Sequence, residues 1–267
     1  MRYPKDTIQL SQSRDLPLLR QVLHSEFVTR AQLFEFMRLS HHEQSRKSFD
    51  WRVRRLVHSG LLKRQTSPAC TGEFIFSVGW GAAVRLQSMG EYCLLGRERK
   101  NRTNIEPNIL HALGLNDIHL SALRAGLLVR WVSSVEIRSQ NELTRFGYAK
   151  DYDAILTVRA ESEEHSFALE YERRPKAARY YRHLGAAIPG ETRVTRVLYL
   201  VTNYDLLQFL SAFFNHDHPQ VLFGLVSDWH AQLLGMQVSR CPYRTPIHVR
   251  ETLAAALTGN ELSDTPR

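Results

Sequence analysis

The 267 residues amount to one large domain or two modest ones at roughly 150 residues per domain, and 43% hydrophobic with 23% charged residues excludes wholesale disorder. Three scattered cysteines (Cys70, Cys93, Cys241) exclude a disulfide framework, the opening MRYPKDTIQL is not expected to be a secretory signal, and no apolar run approaches the ~20 residues that cross a bilayer. The net charge of +8 is uneven: residues 1–104 hold 18 Lys and Arg against 9 Asp and Glu, and the remainder 17 against 18, which predicts a polyanion-binding module joined to a near-neutral one.

In chain order, Leu16, Leu18, Leu19, Val22 and Leu23 predict a first helix over Asp15–Leu23. Thr29 is a fitting N-cap for a second helix through RAQLFEFM. A third runs over Ser45–Ser59, where Phe49, Val53, Leu56 and Val57 form one buried stripe. Its opposite side carries Lys47, Ser48, Trp51, Arg54 and Arg55. Gly60 suits a left-handed helix stop. Leu61–Gln65 and Glu73–Val78 then read as two short strands around the turn-rich TSPACTG. Three helices followed by a hairpin predict a winged helix-turn-helix over residues 1–100. In such a module a helix enters the major groove of double-stranded DNA and the hairpin lies along the phosphates. Lys63 and Arg64 are the expected backbone contacts; Ser48, Trp51, Arg52 and Arg55, beside Lys47 and Arg54, are the expected groove contacts.

The polar stretch Leu95–Pro107 reads as a connection, and a second domain is expected over 105–258, with a flexible tail at 259–267. Ile109–Leu127 predicts a helix broken or bent near Gly114 and restarted from Asn116, and Val129–Ile137 a strand. Tyr152–Val158 and Ser166–Glu172 predict a hairpin, followed by a helix over Pro175–Leu184 with proline in its first turn. Val194–Val201 and Val221–Val226 predict buried strands flanking a helix over Tyr204–Phe214 capped by Asn203.

Period-2 alternation puts Glu170 and Glu172 on one face, within reach of Asp153 on the neighbouring strand. Converging carboxylates of this kind bind Mg²⁺ or Mn²⁺ through oxygen, with Asp153 and Glu170 the expected ligands. The plainer alternative leaves Glu170 and Glu172 facing solvent. Lys176, with Arg173, Arg174, Arg179 and Arg182, forms a local basic cluster suited to a phosphate backbone. Tyr180 and Tyr181 are candidate nucleophiles, with helix packing the commoner role; His111 reads as a packed histidine. His41–His42 and His216-Asp217-His218 lack a third partner at metal spacing. Gly79-Trp80-Gly81 carries no phosphate-binding fingerprint.

The order of elements, with Asp153 at the start of one strand and Glu170 and Glu172 near the end of the next, resembles the restriction-endonuclease-like (PD-(D/E)XK) core. The expected fold is therefore α+β, a winged helix followed by an α/β nuclease-like core. Glu172 stands where that pattern has lysine, and Lys176 is the candidate to supply the missing cation. VRRLVHSGLLKRQ, FIFSVGWGAAVRL, ILHALGLNDIHLSAL, DYDAILTV and FALEYERRPKAARYYRHL together resemble the replication-relaxation family of plasmid and mobile-element proteins. That resemblance implies a protein that binds DNA in plasmid replication, relaxation or mobilisation; the opening segment and the short apolar runs lead to the separate expectation of a cytoplasmic protein, with a homodimer as an open option. Asp153, Glu170, Glu172 and Lys176 would be catalytic if the protein is a metal-dependent endonuclease or nickase. The third alternative is a transcriptional repressor whose second domain senses a ligand.

Overall fold

In the computed structural model, which describes residues 8–68, 70–91, 106–160, 162–214, 220–241 and 250–259, the chain is a mixed α+β protein. It divides into two compact units, one ending at Leu120 and the other beginning at Ser121. The division falls inside a helix, later than the polar stretch where the composition changes; residues 92–105 and 260–267, like His216-Asp217-His218, lie outside the described residues. Among the described residues, no helix is long and apolar enough to cross a membrane.

The first unit opens with α1 (Asp15–Ser25), which buries Leu16, Leu18, Leu19, Val22 and Leu23. A two-residue strand, β1 (Val28–Thr29), leads into α2 (Arg30–Leu39). Thr29 caps α2 as expected: its hydroxyl accepts the Gln32 N–H while the Gln32 side chain accepts the Thr29 N–H. Next, α3 (Arg46–His58) is capped by Ser45 and buries Phe49, Val53 and Leu56 on one side. Gly60, at φ +70°, ends it in the left-handed conformation.

The chain then returns in two antiparallel strands, β2 (Leu62–Gln65) and β3 (Ile75–Val78), with Leu62 opposite Val78 and Arg64 opposite Phe76. With β1 on the far side of β3 they form a three-stranded sheet. Gly79 closes this turn: a Cβ there would stand 2.1 Å from the Gly60 carbonyl oxygen, so only glycine lets the two backbones approach. The sequence reading missed β1 and α4 (Trp80–Ser88). It also expected the next helix to break or bend near Gly114, whereas α5 (Glu106–Arg124) runs through that glycine as one helix. Ile109 and Leu113 of α5 cluster with Ile75, and burying them outweighs the ~1 kcal/mol that a glycine costs inside a helix.

The second unit is built on one seven-stranded sheet. In chain order it contains β4 (Leu128–Ser133), α6 (Ser134–Leu143), β5 (Ala154–Ala160), β6 (Glu163–Glu172) and α7 (Ala178–Ala187). After these come β7 (Arg196–Val201), α8 (Tyr204–Ser211), β8 (Gln220–Leu225), α9 (Val226–Gln232), β9 (Gln237–Cys241), β10 (Arg250–Thr252) and α10 (Leu253–Thr258). The spatial order is β10-β9-β8-β7-β6-β5-β4. Strands β4, β5 and β6 form an antiparallel meander, whereas β6, β7 and β8 run parallel and need the helical connections α7 and α8.

Along one face, Ile155, Ala168, Val197, Tyr199, Val201, Val221 and Phe223 form a core with Tyr181, Leu184, Leu206 and Leu210 from α7 and α8. The predicted strand over Val129–Ile137 is half right. It stops at Ser133, whose hydroxyl caps α6 in a capping box with Glu136. The helix expected from Pro175 starts at Ala178, so Lys176 lies in the extended segment before α7, not one turn inside it.

Candidate functional site

In the first unit the decisive question is which cations of α3 are committed to the fold. Asp15 is completely buried at the start of α1 and gathers three donors. Arg52 Nη1 reaches its Oδ1 at 2.8 Å, the Ser11 N–H reaches Oδ2 at 2.7 Å, and Arg55 Nη2 also bonds Oδ2. Burial alone would push this carboxyl up, but the Arg55, Ser11 and Arg52 hydrogen bonds outweigh it and hold the group below the usual carboxylate range. Arg52 additionally approaches Glu43 at 3.6 Å. Glu43 is held below its ordinary value too, because hydrogen bonds from the Ser48 hydroxyl and the Ser45 and Gln44 N–H groups outweigh its burial.

This network corrects three expectations. Arg52 is buried and bonds α1, so it cannot read a DNA groove. The Arg55 guanidinium is turned to Asp15 and the Gln9 carbonyl, 5.2 Å from the Trp51 ring. The Ser48 hydroxyl donates to Glu43 at 2.9 Å and secures the start of α3. What α3 does present is a stripe at helical spacing: Lys47, Trp51, Arg54 and His58 are all exposed, Trp51 by 58%.

On β2, both Lys63 and Arg64 are exposed. Between α3 and the β2–β3 hairpin lies a groove of about 500 Å³, lined among others by Arg46, Arg54, Arg64, Val57, Phe74 and Phe76. Arg46 sits 4.9 Å from the Phe34 ring centroid and Arg64 4.6 Å from that of Phe74. The sequence reading passed over Arg46 and Phe74; their signal lay in the pairing of the hairpin with α3, not in α3 alone.

In the second unit the strand register brings Asp153 and Glu170 to facing positions. Continuing the β5–β6 register, in which Ala154 faces Leu169, sets Asp153 opposite Glu170. The Asp153 carboxylate accepts the Tyr171 N–H at 2.8 Å. Glu170 and Glu172 share a face with Ala168, and each is only 3% exposed, which removes the solvent-facing alternative. Each has an ammonium partner: Lys150 Nζ stands 2.6 Å from Glu170 Oε1, and Lys176 Nζ bonds Glu172 Oε1. Burial raises the Glu170 carboxyl to about 7; Lys150 offsets part of that rise, and Asp153 adds to it.

The Tyr181 hydroxyl donates to Glu172 at 3.2 Å and accepts the Lys176 N–H at 2.9 Å, and burial lifts its phenol to about 12. Tyr181 is thus a packed, hydrogen-bonded residue, whereas Tyr180 is 38% exposed beneath the Lys176 ammonium. Lys150, three residues before Asp153, is the member of this cluster that the sequence reading missed; it lies between elements, where no periodicity marks it.

The oxygen donors of Asp153 and Glu170 suit Mg²⁺ or Mn²⁺, and an ion binding there would have to displace Lys150. Among the described residues, no three His, Cys, Asp or Glu side chains are gathered as a ready metal site. Arg174, Lys176, Arg179 and Arg182 around the start of α7 are all exposed. No family model, curated protein or solved structure matches the chain.

Proposed function

We propose that this chain is a double-stranded DNA-binding protein of a plasmid or other mobile element, of the replication-relaxation type. In this reading the first unit is a winged helix and the second a nuclease-like core. The observation that carries it is the joint exposure of Lys47, Trp51 and Arg54 on α3 and of Lys63 and Arg64 on the hairpin. These sit in the part of the chain that holds all the excess positive charge. Such cations gain affinity by displacing counterions from phosphates, and an α-helix is of a size to enter the major groove.

The test is fluorescence anisotropy on a panel of duplexes, with charge reversal at Lys47, Arg54 or Arg64. Each is expected to weaken binding at least tenfold (~1.4 kcal/mol) while leaving the thermal melt unchanged. Duplex binding undiminished in all three variants would refute the assignment.

A second reading, metal-dependent cleavage of DNA, is favoured by the opposed Asp153 and Glu170 and by the basic surface around Lys176. When bound, the metal would supply a water of lowered pKa and charge stabilisation on phosphate, with Asp153 and Glu170 holding it. Supercoiled plasmid incubated with Mn²⁺ would then be nicked by the parent and not by Glu170→Ala. Equal nicking by both, or by neither, rejects cleavage at this cluster.

A further inference from the structure

We infer that the groove between α3 and the β2–β3 hairpin holds an unpaired nucleotide, so that the preferred partner is a duplex carrying a single-stranded segment. The inference rests on the DNA-binding reading and narrows its substrate.

The groove sets apolar side chains among charged ones, with Val57, Phe74 and Phe76 beside Arg46, Arg54 and Arg64. Its volume of about 500 Å³ lies in the range of small-molecule pockets, and buried Val53 and Phe76 line it. A duplex keeps its bases stacked inside and offers phosphates on a convex surface, so an exposed ring such as Phe74 gains little from it. An unpaired base has an open π-face to lay on that ring.

The rim is arranged for the rest of the nucleotide. Arg46 and Arg64 lie over the rings of Phe34 and Phe74, and Arg54 is exposed. The acid that would neutralise the groove, Asp50, is taken up by Arg30 through two hydrogen bonds, Nε at 2.8 Å and Nη2 at 2.5 Å. Glu73 also lines the groove and leaves a positive balance against the three arginines. Phe74 is 43% exposed, large and aromatic, beside a guanidinium: a stacking platform next to a phosphate-binding charge.

The test compares a blunt duplex with the same duplex bearing a short single-stranded tail of either polarity, by anisotropy on the full chain. The parent is expected to bind a tailed form at least tenfold more tightly. Phe74→Ala and Phe74→Leu should lose that preference, read as the ratio of tailed to blunt affinity in the same variant, whereas Phe74→Tyr should keep it. Equal binding of blunt and tailed DNA by the parent, or a preference that survives both Phe74→Ala and Phe74→Leu, overturns the inference. Failure to bind any DNA is a separate result, which overturns the DNA-binding reading and this inference with it.

Discussion

Trp51 and Arg52 are neighbours on α3 with opposite roles. Arg52 is enclosed with Asp15 and Glu43, so Arg52→Ala should destabilise the protein by about 3 kcal/mol in urea unfolding, the lower end for breaking a buried ion pair. Arg55 still reaches Asp15 and limits the loss. Trp51→Ala, at an exposed position, should change stability by no more than about 0.5 kcal/mol while weakening DNA binding. Helical geometry already held this distinction: Arg52 lies three residues past Phe49, about 60° from it around the helix, on the inward side. What the sequence could not display was Asp15, 37 residues away, waiting to pair with it.

Glu170 gives a prediction in pH. Its carboxyl is raised from the usual 4.5 to about 7, so the native state holds this proton more firmly than the unfolded chain does. Its contribution to stability is therefore full below pH 4.5 and is lost as the pH climbs through 7. His119 acts in the opposite sense: burial depresses its imidazole from 6.5 to about 3, so its contribution is present above 6.5 and lost as the pH falls. Comparing the parent with Glu170→Gln separates the two. Between pH 4.5 and 7 the parent should lose stability relative to Glu170→Gln, measured as the difference in urea midpoints; a constant difference would contradict the buried, proton-retaining glutamate.

At the scale of elements, amphipathic periodicity was enough to place α1, α2 and α3, and short continuous apolar runs were enough for β7 and β8. The failures have identifiable causes. VRWVSSVEI reads as one largely apolar strand, yet the Ser133–Glu136 capping box turns its second half into α6. Gly114 resembles a break only until Ile109 and Leu113 find their partner Ile75. The α3–hairpin junction depends on Gly79, where a Cβ would collide with the Gly60 carbonyl oxygen. Gly79→Ala should therefore cost about 1–3 kcal/mol through forced backbone movement. It should also weaken DNA binding, because Lys63 and Arg64 would shift relative to α3. Unchanged stability in a thermal melt would show that the approach of the two backbones is not required.

For the whole molecule, the charge division and the compact units tell related stories. The excess of cations lies within the unit that carries α3 and its hairpin, whereas the sheet of the second unit encloses an acid cluster balanced by Lys150 and Lys176. The α+β class and the meeting of Asp153 with Glu170 were legible because strand register is a short-range rule. Which cations remain free was not, because that depends on partners brought together only by folding. The most direct test of the account is the salt dependence of duplex affinity for the parent and for Arg64→Gln. Four phosphate contacts, from Lys47, Arg54, Lys63 and Arg64, predict a slope of log K against log salt of about −3.6, less steep by about 0.9 in Arg64→Gln. A slope near zero, or one that Arg64→Gln leaves unchanged, would contradict it.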